Sequence, residues 1–142
     1  AYHNRQQLPL SLIMLDIDHF KQINDQFGHG TGDTVLKSLA RLLENRLRKS
    51  DHIGRLGGEE FGIILPATSI DQAFEIAEQL RTGFHKLNHH HDGTCFHCSF
   101  SAGIAESKSY PDSLSLFEAT DEQLYQAKQS GRNCTAFKEN SA

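Results

Sequence analysis

The sequence predicts a layered α/β or α+β domain. Short apolar runs alternate with stretches of helical periodicity, and glycine-rich turns separate them. Composition agrees, at 37% apolar and 23% charged residues, which is globular rather than disordered. A length of 142 residues gives room for one domain, expected to span 1–142.

Leu10 to Ile17 reads as a buried strand, and Phe20 to Phe27 as a short helix broken by Gly28 and Gly30. Asp33 to Arg48 carries Val35, Leu36, Leu39, Leu42, Leu43 and Leu47 at helical spacing. Two short strands, Ile53–Leu56 and Phe61–Leu65, flank Gly57-Gly58-Glu59-Glu60. Ser69 with Gln72 has the form of a capping box, opening a helix whose buried stripe is Ala73, Phe74, Ala77, Leu80 and Phe84. His89–Gly93 reads as a polar loop and Phe96 to Ala105 as a strand. Leu114 to Gln129 reads as a helix stopped by Gly131, with Thr135–Phe137 as an edge strand.

Charge and composition narrow the function. A net charge of −4 with no basic stripe argues against broad binding to nucleic acid. The longest apolar run, Leu12 to Leu15, falls far short of the ~18–20 residues of a membrane span. No charged, apolar-cored leader opens the chain, so a soluble domain without membrane contact is expected. Three cysteines, an odd number, do not make a disulfide framework and point to a reducing, cytoplasmic setting. Nine histidines make the net charge responsive between about pH 5 and 7.

Four carboxylates carry the chemistry. Asp16 and Asp18 stand where an apolar strand runs out, and Glu59 and Glu60 stand in a tight diglycine turn between two strands. A strand–helix–strand crossover usually returns the second strand parallel to the first, which would set Asp16 facing Glu59 across one strand spacing. Converging carboxylates repel unless a cation or proton lies between them, and oxygen-only ligands favour Mg²⁺ or Mn²⁺. The plainer alternative is that Asp16 and Asp18 cap the next helix and that Glu59 and Glu60 are turn residues. Gly57 and Gly58 tip the reading toward a site, because they let backbone approach a bulky ligand. The cluster Gly28-His29-Gly30-Thr31-Gly32-Asp33 is neither a P-loop nor a dinucleotide fingerprint; alone it is a helix-to-helix turn. A phosphate could still use the N-terminus of the helix it opens.

Several segments together resemble one family. Asp16-Ile17-Asp18-His19-Phe20-Lys21-Gln22-Ile23-Asn24-Asp25, Gly28-His29, Gly32-Asp33 and Arg55-Leu56-Gly57-Gly58-Glu59-Glu60-Phe61 resemble the GGDEF domain of diguanylate cyclases. Ser101-Ala102-Gly103, Asp121, Leu124-Tyr125-Gln126-Ala127-Lys128 and Gly131-Arg132-Asn133 continue the match in order. The resemblance implies a palm-like fold related to class III nucleotide cyclases, with a mixed, mostly antiparallel five-stranded sheet flanked by helices. It implies condensation of two GTP molecules into cyclic di-GMP with release of two pyrophosphates, across a homodimer in which each 3′-hydroxyl attacks the partner's α-phosphorus.

By that resemblance, Asp16, the Ile17 carbonyl and Glu59 bind two Mg²⁺ (or Mn²⁺) per GTP site, and Glu60 assists deprotonation of the 3′-hydroxyl. Gly57 and Gly58 line the nucleotide, and Asn24 and Asp33 read guanine, whose paired donors suit a carboxylate. Lys21, Lys128 and Arg132 neutralise the β- and γ-phosphates; the ordinary alternative for the last two is compensation of a helix dipole. Glu59 stands where the family name has Asp, which keeps a hard oxygen ligand. Arg48-Lys49-Ser50-Asp51 fits the family's RxxD inhibitory site, where Arg48 and Asp51 would hold the product cyclic di-GMP. A helix-terminal Arg with a capping Asp is the alternative there.

The family usually begins with Asp-x-Leu-Thr-x-Leu-x-Asn-Arg-Arg and a helix, of which Ala1-Tyr2-His3-Asn4-Arg5 reads as the tail; a truncated N-terminal helix is expected. Such domains commonly follow a sensor module. The rival to the enzyme is a catalytically silent module that senses GTP or cyclic di-GMP. His89, His90, His91, Cys95, His97 and Cys98 invite a zinc reading, but Cys98 and Phe100 alternate as core residues do.

Overall fold

The computed structural model describes residues 8–138. Strand β1, Leu10–Ile17, is followed by helices α1 (Phe20–Phe27) and α2 (His29–Arg46). Strands β2 (His52–Arg55) and β3 (Glu60–Pro66) form a hairpin, and helix α3 covers Ile70–Lys86. Strands β4 (His89–His91) and β5 (Thr94–Phe96) form a small separate sheet. Strand β6 (Phe100–Glu106), helix α4 (Ser113–Gln129) and strand β7 (Thr135–Phe137) close the order. The expected helix tail at Ala1–Arg5 lies outside the described residues.

The main sheet has five strands in the order β2-β3-β1-β6-β7, antiparallel throughout except for the β6–β7 pair. That is the mixed, mostly antiparallel sheet expected. One expectation about it is corrected. The strand after the α1–α2 crossover, β2, does run in the direction of β1, but it is not its neighbour: β3 lies between them. Burial decides this. Phe61, Ile63 and Leu65 of β3 are buried, whereas every residue of β2 is exposed, so the apolar strand takes the inner place and β2 the edge.

Side-chain alternation splits the sheet into two faces. Ile13, Leu15, Ile17, Phe61, Ile63 and Leu65 belong to the main core together with Val35, Leu39 and Leu43 of α2 and Ala77, Leu80 and Phe84 of α3. Helix α3 starts at the expected capping box, with Ser69 and Gln72 each bonding the other's backbone N–H. Helix α4 covers the opposite face through Leu116, Thr120, Leu124 and Ala127. It lies so close to β6 that a methyl group at Gly103 would overlap the Leu124 backbone nitrogen. Beyond α4 the same face carries an apolar groove of about 550 Å³, lined by Leu10, Leu12, Leu56, Ile64, Leu116 and Phe117 among others.

Two local expectations also change. Gly28, at φ +94°, breaks the helices, but Gly30 does not: α2 begins at His29 and runs through Gly30, so Asp33 is inside the helix. The polar stretch at 89–93 is not a loop. Asp92 (φ +46°) and Gly93 (φ +80°) make a two-residue turn between β4 and β5, the Asp-Gly hairpin geometry in which both residues need positive φ. The expected strand from Phe96 to Ala105 is therefore two strands, with β5 paired to β4 and β6 to β1.

Candidate active site

The acidic corner is built by register. Asp16 stands opposite Glu60 of β3 and opposite Ser101 of β6. One step further, the Ile17 N–H donates to the Glu59 carbonyl at 3.2 Å. Asp16, Ile17, Glu59 and Glu60 thus meet at one end of the central strands. The route differs from the sequence expectation, but a hairpin returning beside β1 brings the diglycine turn to the same place as a parallel neighbour would have.

Asp16 and Glu60 fall on the face covered by α4, opposite in parity to Leu15 and Phe61. There the Lys128 ammonium donates to Asp16 Oδ2 at 2.6 Å, and both groups are largely shielded from solvent. Lys128 therefore makes a long-range ion pair and is not merely a charge at a helix end. The Glu60 carboxyl is pushed above the ordinary carboxylate range, first by partial burial, then by the negative charges of Asp16 and Asp121 and, less, of Glu59; Lys128 opposes them. Asp121 is a member of this corner that the sequence reading quoted only as part of a pattern. Its signal was available: Asp121 and Lys128 are seven apart, two turns on one helical face.

The donor set is right for a hard divalent cation, with carboxylates and a backbone carbonyl and no soft ligand. Burial is the first cause of the raised proton affinity of Glu60; the second, the negative charge of Asp16 and Asp121, is what a cation would relieve. As the side chains stand, no three His, Cys, Asp or Glu residues converge to hold an ion among the described residues; at the corner, Lys128 is the cation that meets Asp16.

The turn that carries Glu59 is held by a residue absent from the expected site. Arg55 Nε donates to the Gly57 and Gly58 carbonyls at 3.2 Å each, and the Leu56 N–H donates to the Glu60 carbonyl at 2.8 Å. Nothing inside the chain demands glycine at either position. Neither has positive φ, and a methyl group at Gly58 would meet no atom within 4 Å. Their smallness faces outward.

Asp18, two residues beyond Asp16, has a different task. It is buried and accepts from Ser99 Oγ (2.6 Å), Ser101 Oγ (2.6 Å) and the Asn133 N–H (2.9 Å). It neither caps α1 nor joins the acidic corner; the N-cap of α1 is His19, with no side-chain cap bond. The Asn133 bond brings the loop carrying Arg132 beside the end of β1.

The other expected nucleotide residues lie on the two crossover helices. Lys21 is exposed on α1. Asn24 holds a buried Oδ1 with no hydrogen-bond partner among the described residues, against Gly32, where a methyl group would overlap it. Asp33 is exposed and lines a cavity of about 330 Å³ with Leu36, Lys37, Ala40, Arg55 and Phe61, which links it to the arginine of the diglycine turn.

Arg48 and Asp51 lie elsewhere. Arg48 donates to both oxygens of Asp51 and to the Pro66 carbonyl at 2.9 Å, and Asp51 also accepts from the Arg48 N–H at 2.7 Å. Pro66 is the far end of β3 from Glu60, about 20 Å along the strand. Asp51 is thus satisfied within the chain, as the capping alternative has it, while half of the Arg48 side chain stays exposed. The histidine and cysteine segment forms no metal cluster among the described residues. Cys98 is a core residue, its thiol pushed up to about 12 by burial, whereas Cys95 is exposed.

A palm-like mixed sheet with an acidic corner at the end of its central strand, faced by one lysine, defines the class. The family model described as "Diguanylate cyclase, GGDEF domain" matches residues 1–134, and the chain belongs to that family. It is 44% identical over 133 residues to diguanylate cyclase DgcP of Pseudomonas aeruginosa and 38% identical over 134 residues to diguanylate cyclase DosC of Escherichia coli. Each match covers 94% of this chain but only 20% and 29% of those relatives, so the chain spans less than a third of their length. Among solved structures it is similar to the active GGEEF domain of a diguanylate cyclase from Vibrio cholerae, with a TM-score of 0.88 and 38% identity. That match covers 99% of this chain and 89% of the other. The GGDEF domain of DgcB from Caulobacter crescentus, solved in complex with c-di-GMP, matches with a TM-score of 0.89 and 29% identity over 96% of this chain and 81% of that one.

Proposed function

We propose that this chain is a diguanylate cyclase domain that condenses two GTP molecules into cyclic di-GMP and two pyrophosphates. The observation that carries the reading is the acidic corner: Asp16 and Glu60 in register on adjacent strands, Glu59 beside them, and Lys128 opposite. Two domains face each other, each holding one GTP, and each 3′-hydroxyl attacks the other's α-phosphorus while pyrophosphate leaves. Glu60, with its raised proton affinity, takes up the 3′-hydroxyl proton. Asn24 and Asp33 bind guanine, Asp33 from its exposed place at the cavity it shares with Arg55. Lys21, Lys128 and Arg132 neutralise phosphate charge, and Gly57 and Gly58 let the turn's backbone approach the nucleotide.

Asp16, the Ile17 carbonyl and Glu59 would hold two divalent cations, Mg²⁺ or Mn²⁺, which when bound stabilise charge on the attacked phosphate and the leaving group. Arg48, half exposed beside a cavity of about 240 Å³, and Asp51 would form a product site apart from the acidic corner. Cyclic di-GMP binding Arg48→Ala as well as the parent would remove that assignment. The DgcB complex with c-di-GMP is in keeping with such a product site. One related structure contains a coiled coil with its GGDEF domain and another a cyclase with its activator, so this domain too is proposed to take its input from a fused or bound partner. Among the described residues no helix is long and apolar enough to cross a membrane; we assign the domain to the cytoplasm, where GTP is available.

The test is cyclic di-GMP production from GTP with Mg²⁺ over a range of protein concentration. A specific rate rising with concentration supports the two-domain reaction. Glu59→Ala and Glu60→Ala should each abolish product without moving the melting temperature. Undiminished synthesis in both would refute the mechanism, and nucleotide binding without turnover in the parent would make the domain a sensor.

A further inference from the structure

Helix α4 ends in three successive residues of positive φ: Gly131 (+114°), Arg132 (+64°) and Asn133 (+47°). Glycine adopts this region freely and asparagine visits it readily, whereas arginine does so only where surrounding contacts over-determine the backbone. The contacts are present on both sides of Arg132. Its own N–H returns to the Ala127 carbonyl at 3.1 Å. Asn133 is gripped from two directions, its N–H by the Asp18 carboxylate at 2.9 Å and its side-chain and backbone oxygens by Arg81 Nη1 at 2.7 and 3.2 Å. Each gripping group is itself held: Asp18 by Ser99 and Ser101, Arg81 by Glu78 at 2.6 and 2.8 Å.

The side chain this arrangement displays is not used by the fold. The Arg132 side chain is exposed and makes no hydrogen bond or ion pair among the described residues. One strained position and two charged clamps therefore fix the backbone of one free guanidinium beside the end of β1. We propose that Arg81, acting through Asn133 and opposed by Asp18, is a positioning residue that sets Arg132 against the phosphates of the bound nucleotide. Arg81 lies on α3, outside the expected site, and touches no proposed substrate position. The inference rests on the proposed role of Arg132 as a phosphate cation. The competing explanation is that the clamp only anchors the start of β7, since the neighbouring Cys134 carbonyl accepts from the Ala102 N–H at 2.9 Å.

A double-mutant cycle separates the two. The dissociation constant of a non-reacting GTP analogue is measured by calorimetry, alongside kcat, for the parent, Arg132→Ala, Arg81→Met and the double variant. Arg132→Ala should weaken binding about tenfold and Arg81→Met several-fold, whereas Arg81→Met should add less than about twofold once Arg132 is gone. Arg81→Lys should restore part of the loss. Asn133→Gly, which keeps the left-handed backbone but removes the side-chain acceptor, should repeat the Arg81→Met pattern more weakly and serves where Arg81→Met does not fold. Independent, multiplicative losses would overturn the proposal and leave Arg81 as an anchor of β7. Unchanged binding in Arg132→Ala would overturn it at its base, a result distinguishable because the fault then lies with Arg132 rather than with its support.

Discussion

The end of β1 and the β4–β5 hairpin both bury a titratable side chain, and they do so in opposite ways. Asp18 lies below the surface with two hydroxyls and a backbone N–H donating to its carboxyl oxygens. His89 is equally buried, but its Nε2 has no partner among the described residues and its ring packs against those of Phe84 and Phe96. Burial alone thus says little about rigidity. A satisfied buried group ties distant segments together, and an unsatisfied one leaves its element dependent on remaining uncharged.

Breaking the satisfied side should have the largest effect on stability. Asp18→Ala strands the hydroxyls of Ser99 and Ser101 and the Asn133 N–H, and should cost about 3 kcal/mol or more by chemical denaturation. A cost below about 1 kcal/mol would mean that water replaces the carboxylate. Next comes the close approach of α4 to β6 at Gly103. Gly103→Ala forces the helix off the sheet and should destabilise by about 2–3 kcal/mol. Because Lys128 rides on that helix, cyclic di-GMP synthesis should fall as well; a neutral Gly103→Ala would show that α4 can shift freely.

The hairpin gives the smallest effect, and a signed one. Burial, then the positive charges of His97 and His90, hold the His89 imidazole below its ordinary value of 6.5. No carboxylate answers it in its immediate surroundings; the Asp92 carboxylate faces His91 instead, at 3.3 Å. The undocked hairpin therefore binds more protons than the docked one. Docking is at full strength above about pH 6.5 and weakens as pH falls through and below it, by at most about 1.4 kcal/mol per pH unit. Amide protection factors at Thr94–Phe96, which correct for the pH dependence of intrinsic exchange, should fall at low pH in the parent and stay level in His89→Phe. The same response in both would place the titration elsewhere. The consequence would reach the crossover helices, because Phe96 stacks on Phe27 at the end of α1 and His91 bonds Thr31 of α2 at 3.0 Å.

Legibility in the sequence followed the range of the interaction. Local signals were read correctly where one mechanism dominated: the apolar period of β1, the Ser69–Gln72 capping box and the strand at Thr135–Phe137. The run of histidines at 89–91 has the composition of a polar loop, and the hairpin at 89–96 is marked only by the Asp92-Gly93 turn. Gly30 has the mark of a breaker yet lies inside α2, because glycine is costly within a helix but tolerated in its first turn. For the site, residue types in order nominate Asp16, Glu59 and Glu60, the family resemblance adds Lys128 and the seven-residue spacing to Lys128 marks Asp121, while Arg55 and Arg81 carry no local mark of their roles.

By itself, then, the sequence determined the alternation of elements, the family, and which residue types stand at strand ends and turns, because these depend on spacing along the chain. Tertiary structure alone decided that β3 rather than β2 lies beside β1, that Lys128 meets Asp16, and that Asp18 serves the Asn133 loop instead of the acidic corner. The last two contacts join residues 112 and 115 positions apart. Such contacts follow from which strand buries more apolar surface and which face alternation exposes, quantities defined only once the sheet has closed.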